Sequence, residues 1–365
     1  MAGERRVSII GPIIALVIVV IVLGAVILIF SDQDGEVEKV GWIVGSSVDD
    51  GYGVIFHTVD GENWTRQGSE ITVPDVDLSD VRAIDKDTAW VVGNNDSGYG
   101  TILRTDDGGE TWVRQGNQTQ IPDVPINGIG VVDEDTAWAV GGNGTVLITF
   151  DGGQTWIVQS PPKVLTEAAF FVISPVDELN AWIIGDHDDG YATIFHTSNG
   201  GQNWTRQGTM ETVIAPGLID VQAINKEVCW AVGMDETILK TMDGGENWMI
   251  QKTSRPQAGP HINGICAFDE DNAWAAVDND LMLKTNDGGQ NWINYTIPLE
   301  VGHGFYLIDV AGLDMDSIWV SGTTFIPTST LGEILHTPDG GETWESQGLP
   351  VDTELRRVSF VGSPR

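Results

Sequence analysis

The chain has 365 residues, with 53 Asp and Glu against 18 Lys and Arg, for a net charge of −35. That charge excludes nucleic acid and anionic lipid surfaces as partners, since both require a basic face. It leaves cationic proteins, basic peptides and divalent cations as the compatible classes.

Residues 1–8 carry Arg5 and Arg6 and read as a cytoplasmic tail. Ile9 to Phe30 then runs for 22 residues without a charge. As a helix at ~1.5 Å per residue it would be roughly 33 Å long, enough to span a hydrocarbon core. Arginines before it and Asp32, Asp34, Glu36 and Glu38 after it place the N-terminus in the cytoplasm. The apolar run is longer than the about 7–15 residues of a signal-peptide core, and no small-x-small cleavage site follows it. An uncleaved transmembrane signal anchor over 9–30 is therefore predicted. An acidic linker, 31–36, joins it to an extracytoplasmic domain over 37–365.

That domain is a repeat. A box of the form T-x-D-G-G-x-x-W begins at Thr58, Thr105, Thr149, Thr197, Thr241, Thr285 and Thr337. Its tryptophans, from Trp64 to Trp344, lie 44 to 52 residues apart. The Asp accepts backbone N–H groups in an Asx-type turn, and the Gly pair supplies positive φ. The first copy, TVDGENW, lacks one Gly, so its turn should be a residue tighter or of another type. A second motif, such as AWVVG at Trp90 and AWAVG at Trp138, alternates with the box. The two motifs account for all 14 tryptophans, which read as core. A short β-rich run precedes each AW motif (LSDVRAID from Leu78, INGIGVVD from Ile126) and another follows each box (WVRQG from Trp112). Each unit is thus four strands, a to d. Four-stranded units at this period describe a β-propeller. The first unit lacks a strand a, and the last a-type run, Leu355 to Gly362, has no strand b after it. A circular arrangement resolves both, predicting an all-β, seven-bladed propeller closed by the C-terminal strand.

The box is similar to the Asp box of the BNR (bacterial neuraminidase) repeat. Full units such as DEDTAWAVG…GTVLITFDGGQTW resemble the photosystem II stability and assembly factor family over about residues 37–365. The resemblance implies a seven-bladed propeller acting in the thylakoid lumen or its bacterial counterpart. It also implies an arginine-rich surface patch. This chain departs from that pattern: Arg66, Arg114 and Arg206 are scattered on outer strands d, where they read as solvated edge charges.

Catalytic motifs are absent: no G-x-S-x-G, H-E-x-x-H or C-x-x-C occurs. Sialidases share the Asp box, but their Arg-Ile-Pro signature is missing here. His57, His196 and His336 share one column with Arg104, Lys240 and Lys284, read as an exposed strand position. The D-x-D turns at Asp85/Asp87, Asp133/Asp135, Asp269/Asp271 and Asp314/Asp316 could bind Ca²⁺, but hairpin-turn chemistry explains them without it and is the preferred reading. No cofactor or metal is assigned. Cys229 and Cys266 read as buried free thiols in adjacent blades. N-x-S/T sequons occur at Asn63, Asn95, Asn117, Asn143, Asn203 and Asn294.

What remains is a surface. The b–c and d–a connections emerge on one face, where Tyr52, Tyr99 and Tyr191 recur beside Asp50, Asp96 and Asp189. Asp80, Asp220, Asp309 and Arg357 share a column near the start of strands a and are predicted to ring the channel mouth. Acidic groups with exposed aromatics suit a basic protein or peptide, a cation or a glycan. The resulting expectation is a single-pass membrane protein whose propeller binds or scaffolds other proteins without catalysis. A BNR-type glycan-binding protein or sialidase-like glycoside hydrolase is the alternative. Paired carboxylates about 5–10 Å apart at the channel mouth would mark the enzyme. Protease added to intact cells should degrade the chain beyond Phe30; full protection would overturn the orientation.

Overall fold

The computed structural model describes residues 17–22, 25–30, 38–47, 51–159, 169–188, 191–209, 213, 217–254, 258–298, 304–326, 329–349 and 353–364. The chain divides into two units, Met1–Lys39 and Val40–Arg365. In the first, Val17–Val22 pairs antiparallel with Ala25–Phe30. These strands occupy the stretch expected as a spanning helix. Their run of Val and Ile, β-branched and stiff at χ1, favours extended backbone. No helix among the described residues is long and apolar enough to cross a membrane. The tail 1–8, residues 9–16, and the linker 31–36 lie outside the described residues.

The second unit is seven four-stranded antiparallel sheets, each in the order a-b-c-d. Blade one takes strand a from Leu355–Phe360 and its other strands from Gly41–Gly45, Val54–Thr58 and Thr65–Arg66. Blade two runs Leu78–Ala83, Ala89–Asp96, Tyr99–Thr105 and Val113–Arg114. Strands a of blades three to seven are Ile126–Val131, Phe170–Pro175, Leu218–Ala223, Ile262–Ala267 and Gly304–Gly312. The predicted circular closure is thus present: Gly41, Trp42 and Ile43 face Phe360, Ser359 and Val358.

The Asp box folds as its sequence dictates. In TDDGGETW, Thr105 Oγ1 donates to Asp107 at 2.8 Å and accepts the Gly109 N–H at 2.9 Å, while Asp107 accepts Thr111 N–H at 2.9 Å and its hydroxyl at 2.6 Å. In the first copy Gly61 N–H bonds Thr58 and Asn63 N–H bonds Asp60, each one residue closer along the chain. The turn there is tighter, as the missing glycine requires.

Blades pack through tryptophan. All seven strand b tryptophans are fully buried. The box tryptophans of blades one to five are buried as well, and Trp292 and Trp344 are half-buried. Trp90, Trp138 and Trp230 meet the box tryptophans of the next blade, Trp156, Trp204 and Trp292, edge to face at 5.8, 5.9 and 6.0 Å. The second box glycine has a reason beyond its positive φ: a Cβ on Gly153 would lie 2.6 Å from the Trp90 ring of the preceding blade.

A second constraint lies at the inner strands. Every a–b pair shifts register near the start of strand a, as between Leu78 and Asp80 and between Ile126 and Gly128. This bulge drives a backbone carbonyl toward the end of strand b, so a Cβ on Gly141 would meet Pro125 O at 2.1 Å. It explains the terminal glycine of AWAVG.

The closing strand is held by side chains as well as by its ladder. Phe360 stacks on Trp319 of blade seven with centroids 4.0 Å apart and meets Trp64 edge-on at 5.9 Å. Phe360→Ala should cost about 3–5 kcal/mol in urea unfolding. Removing 355–365 should lower the melting temperature and cause aggregation through the exposed strand b edge. Unchanged melting after that truncation would show that closure contributes nothing.

Candidate functional site

The column expected at the channel mouth lies inside it instead. Side chains of Asp80, Asp220 and Asp309 are 2 to 6 % exposed and Arg357 is 13 % exposed. The bulge places each carboxylate between its own blade and the next, where it accepts a backbone N–H. Asp80 takes Ile129 N–H at 3.0 Å, Asp220 takes Ile265 N–H at 3.0 Å, and Asp309 takes Val358 N–H at 2.9 Å. Other residues of the inner strands repeat the device: Ser174 Oγ accepts Ala223 N–H, Gln222 accepts Ala267 N–H, and Ser359 Oγ accepts Ala83 N–H. Asn127 and Asn263 donate across to Phe170 O and Leu307 O. Each of the seven blade junctions therefore carries a side-chain bond between inner strands.

Arg357 Nη1 bonds Asp309 at 2.9 Å and Asp220 at 3.3 Å, bringing three of the four column residues together; Asp80 pairs with Arg82 at 3.0 Å. Burial raises the Asp80 carboxyl above its usual range against the pull of Arg82 and Arg357. Burial, opposed by Arg357 and reinforced by the charge of Asp220, pushes Asp309 up to about 6. Burial works against the charge of Arg357, but Asp220, Asp309 and Asp80 outweigh it and raise its pKa. The space beside this cluster is about 50 Å³ and is lined also by Ser363 and Pro364 of the C-terminal tail. It admits a few waters, not a sugar ring.

On the b–c and d–a face, Tyr52 and Tyr99 are half-buried under arginines of strand d. The Arg66 guanidinium lies 4.3 Å from the Tyr52 ring and that of Arg114 lies 3.9 Å from the Tyr99 ring. Arg114 also donates to the Asp96 carboxylate at 2.6 Å, to Asp96 O and to Tyr99 O. Burial opposes ionisation of Asp96, but the bonds from Arg114 and Ser97 hold its pKa down. Arg66 and Arg114 are thus clasps of the b–c hairpins, not solvated edge charges. The signal was in the sequence: the blades with Tyr in the b–c loop, one, two and four, are those with Arg66, Arg114 and Arg206 in strand d. Tyr191 begins strand c of blade four; Asp50 and Asp189 lie outside the described residues.

The column of His57, His196 and His336 is not an exposed one either. Each imidazole stacks on the strand b tryptophan of its blade, Trp42, Trp182 or Trp319, at 4.4, 4.2 and 4.1 Å. Arg104, Lys240 and Lys284 lie over Trp90, Trp230 and Trp274 at 5.1, 4.4 and 4.7 Å. They donate to carbonyls of the next blade, as Arg104 does to Glu134 O and Gly152 O. Burial lowers the pKa of His57 and His196. Adjacency of this column to the tryptophan across the sheet, two strands in register, was the missed cue.

The D-x-D turns are closed by their first carboxylate. Asp85 accepts Asp87 and Thr88 N–H, both at 2.8 Å, and Asp133, Asp269 and Asp314 repeat the pattern. Among the described residues no cluster of three or more His, Cys, Asp or Glu could hold a metal ion. Cys229 and Cys266 are free and buried; burial pushes the Cys266 thiol up to about 12. An open pocket on the b–c and d–a face is lined by Ser47, Asp75, Asp77, Asn94, Asn95 and Pro125. Exposed Asp123 adjoins it through a 2.7 Å bond from Asn95.

The family described as photosynthesis system II assembly factor YCF48 matches residues 122–217 and 207–301, which span blades three to six. These blades carry that family's repeat. No curated protein matches the chain in sequence. Among solved structures, YCF48 bound to D1 peptide is 22 % identical with a TM-score of 0.56, covering 74 % of this chain and 80 % of that one. YCF48 from Cyanidioschyzon merolae is 19 % identical with a TM-score of 0.54, covering 75 % and 87 %. The GH74 xyloglucanase from Xanthomonas campestris is 14 % identical with a TM-score of 0.55, covering 84 % of this chain and 46 % of the enzyme. At these identities the solved structures share the fold.

The Tyr99–Arg114 clasp is testable by a double-mutant cycle with leucine at both positions. A coupling of about 0.5–2 kcal/mol in unfolding free energy is expected, the span between exposed and desolvated cation–π pairs. Additive effects would return Arg114 to an edge charge.

Proposed function

We propose that the chain is a membrane-anchored, extracytoplasmic propeller that binds and scaffolds other proteins without catalysis, as an assembly factor of the type whose repeat it carries. The observation that carries this reading is the commitment of the channel carboxylates. Asp80, Asp220 and Asp309 are buried, bonded to neighbouring backbone and paired with arginine. An acid/base pair of a glycosidase needs carboxyls open to substrate and water. The likeness to a xyloglucanase is one of fold, and a fold does not transfer an activity.

A relative solved with a D1 peptide supports a peptide or protein segment as the ligand class. The net charge of −35 supports a basic one. The b–c and d–a face, with Asp75, Asp77 and Asp123 on loops at an open pocket and Asp96 at the end of strand b, is where we place it. Tyr52, Tyr99 and Tyr191 fall at the b–c turns, with Tyr52 and Tyr99 serving as the platforms on which Arg66 and Arg114 lie. The uncharged run from Ile9 to Phe30 supports anchoring in a membrane.

The test is fluorescence anisotropy of the detergent-solubilised full chain with a Lys/Arg-rich peptide and an acidic control. Binding to the basic peptide should weaken several-fold as salt rises through the range where the Debye length falls from about 10 to about 3 Å. Asp75→Asn with Asp123→Asn should weaken it several-fold further at constant melting temperature, each exposed charge being worth about 0.2–1 kcal/mol. Binding indifferent to salt and to these substitutions would move the site elsewhere. Release of reducing sugar from oligosaccharides would sink the non-catalytic reading.

A further inference from the structure

The residue at the bulge of each strand a forms an inner column that can be read blade by blade. From blade one it is Arg357, Asp80, Gly128, Val172, Asp220, Gly264 and Asp309. The only cation in it comes from the closing strand. With Arg82 two residues beyond Asp80, the channel holds three carboxylates and two guanidiniums among the described residues. Asp80 and Arg82 neutralise each other. Asp220 and Asp309 converge on the same nitrogen of Arg357. One negative charge is therefore left over in a site whose carboxylates are almost closed to water.

Burying an uncompensated carboxylate costs several kcal/mol, and the ordinary escape is to take up a proton. The groups facing the pair are Arg357 from blade one, Asp80 and Arg82 from blade two, and the Cys266 thiol from blade six. The Cys229 thiol of blade five also senses Asp220. Both thiols are raised by burial and stay neutral, so neither supplies the missing positive charge. When the closing strand is absent, Asp309 loses both Arg357 and the Val358 N–H and is opened to water, where a carboxyl ionises near pH 4.

We propose that ring closure is coupled to one proton: docking of Leu355–Phe360 loads a single proton onto Asp309, and the ring is latched more tightly with it than without it. With the proton on Asp309, Asp220 keeps its pairing with Arg357 and Asp309 is a neutral carboxyl that no longer repels it. The sign follows from the raised carboxyl of Asp309. The closed state binds more protons than the open one between about pH 4 and about pH 6, so latching is complete at the low end and lost as pH rises through that window. Above it the two carboxylates compete for Arg357.

Amide hydrogen exchange on the full chain reads this strand by strand. In salt of roughly 0.5 M, which screens the surface charge, opening of Leu355–Phe360 should increase up to about tenfold per pH unit through the window, after correction for intrinsic exchange. Strand a of blade four, Phe170–Pro175, has no ionisable residue and serves as the control; it should not respond. Asp309→Asn keeps an acceptor for Val358 N–H and removes the proton, so it should flatten the response. Arg357→Met leaves two carboxylates without a counter-charge and should steepen it toward about hundredfold per pH unit, with folding recovered on acidification. If Arg357→Met fails to fold even in acid, the wild-type strand comparison still decides. Equal response of the two strands, or a wild-type slope in Asp309→Asn, would overturn the latch.

Discussion

The contact on which this propeller depends is between a tryptophan and a glycine of different blades. Strand b tryptophans reach past their own sheet to the box of the next, and at Trp90, Trp138, Trp230 and Trp274 a Cβ on the second box glycine would lie only 2.6 to 3.0 Å from the ring. Trp90 against Gly153, Trp230 against Gly289 and Trp274 against Gly341 all show it. One blade's sequence is thereby fixed by its neighbour's. The cation or imidazole on the outer side of the same ring completes the sandwich, and the hydrogen bonds of Arg104, Lys240 and Lys284 run again to the next blade. A repeat of this kind cannot vary one motif alone, which is why two short motifs recur together through the chain while the loops between them drift.

The second dependence is polar. Propeller blades meet at their narrow inner ends, where backbone N–H groups of strand a have no partner in their own sheet. This chain meets that need with side chains of the preceding blade: carboxylates, hydroxyls and a carboxamide. A buried carboxylate accepting an N–H is strongly bonded but expensive to desolvate. Three of them in one channel make the arginines a requirement. The residues most suggestive of catalysis, inward-facing aspartates on a propeller axis, are thereby explained as joints between blades.

Much of the fold was legible because its period is carried by unusual residues. The Trp–Gly–Asp spacing gave seven units, and the unmatched runs at the two ends gave the closure that Gly41–Gly45 and Leu355–Phe360 make. The tighter first turn followed from one missing glycine. The site was less legible, for a geometric reason. Alternation along a strand tells inward from outward only while the register is regular, and the bulge at the start of every strand a breaks it. Asp80, Asp220 and Asp309 were therefore placed at the mouth when they lie within. The strand d arginines and the His/Lys/Arg column were misjudged for a related reason: their partners, Tyr52 and Tyr99 or the strand b tryptophans, lie across strands and not along them. Comparing blades with one another would have found both, since Tyr and Arg come and go together. The apolar stretch before residue 39 is a different case: Val17–Val22 and Ala25–Phe30 pair as strands there, and its reading as an anchor rests on hydrophobic length and flanking charge alone.

The closure also sets an order in time. Thr353 bonds Ser46 across 307 residues of chain, so blade one cannot be finished until the last residues exist. At about 5–20 residues per second, synthesis alone separates the two halves of that blade by tens of seconds. The entropy of closing so long a loop grows only logarithmically and is no great obstacle; the wait is. Throughout it strand b of blade one, Gly41–Gly45, is an open edge of buried-type sequence, and every other blade can complete its own four strands first. A cell that makes this protein must therefore keep its N-terminal strands from pairing with anything else until the C-terminus arrives.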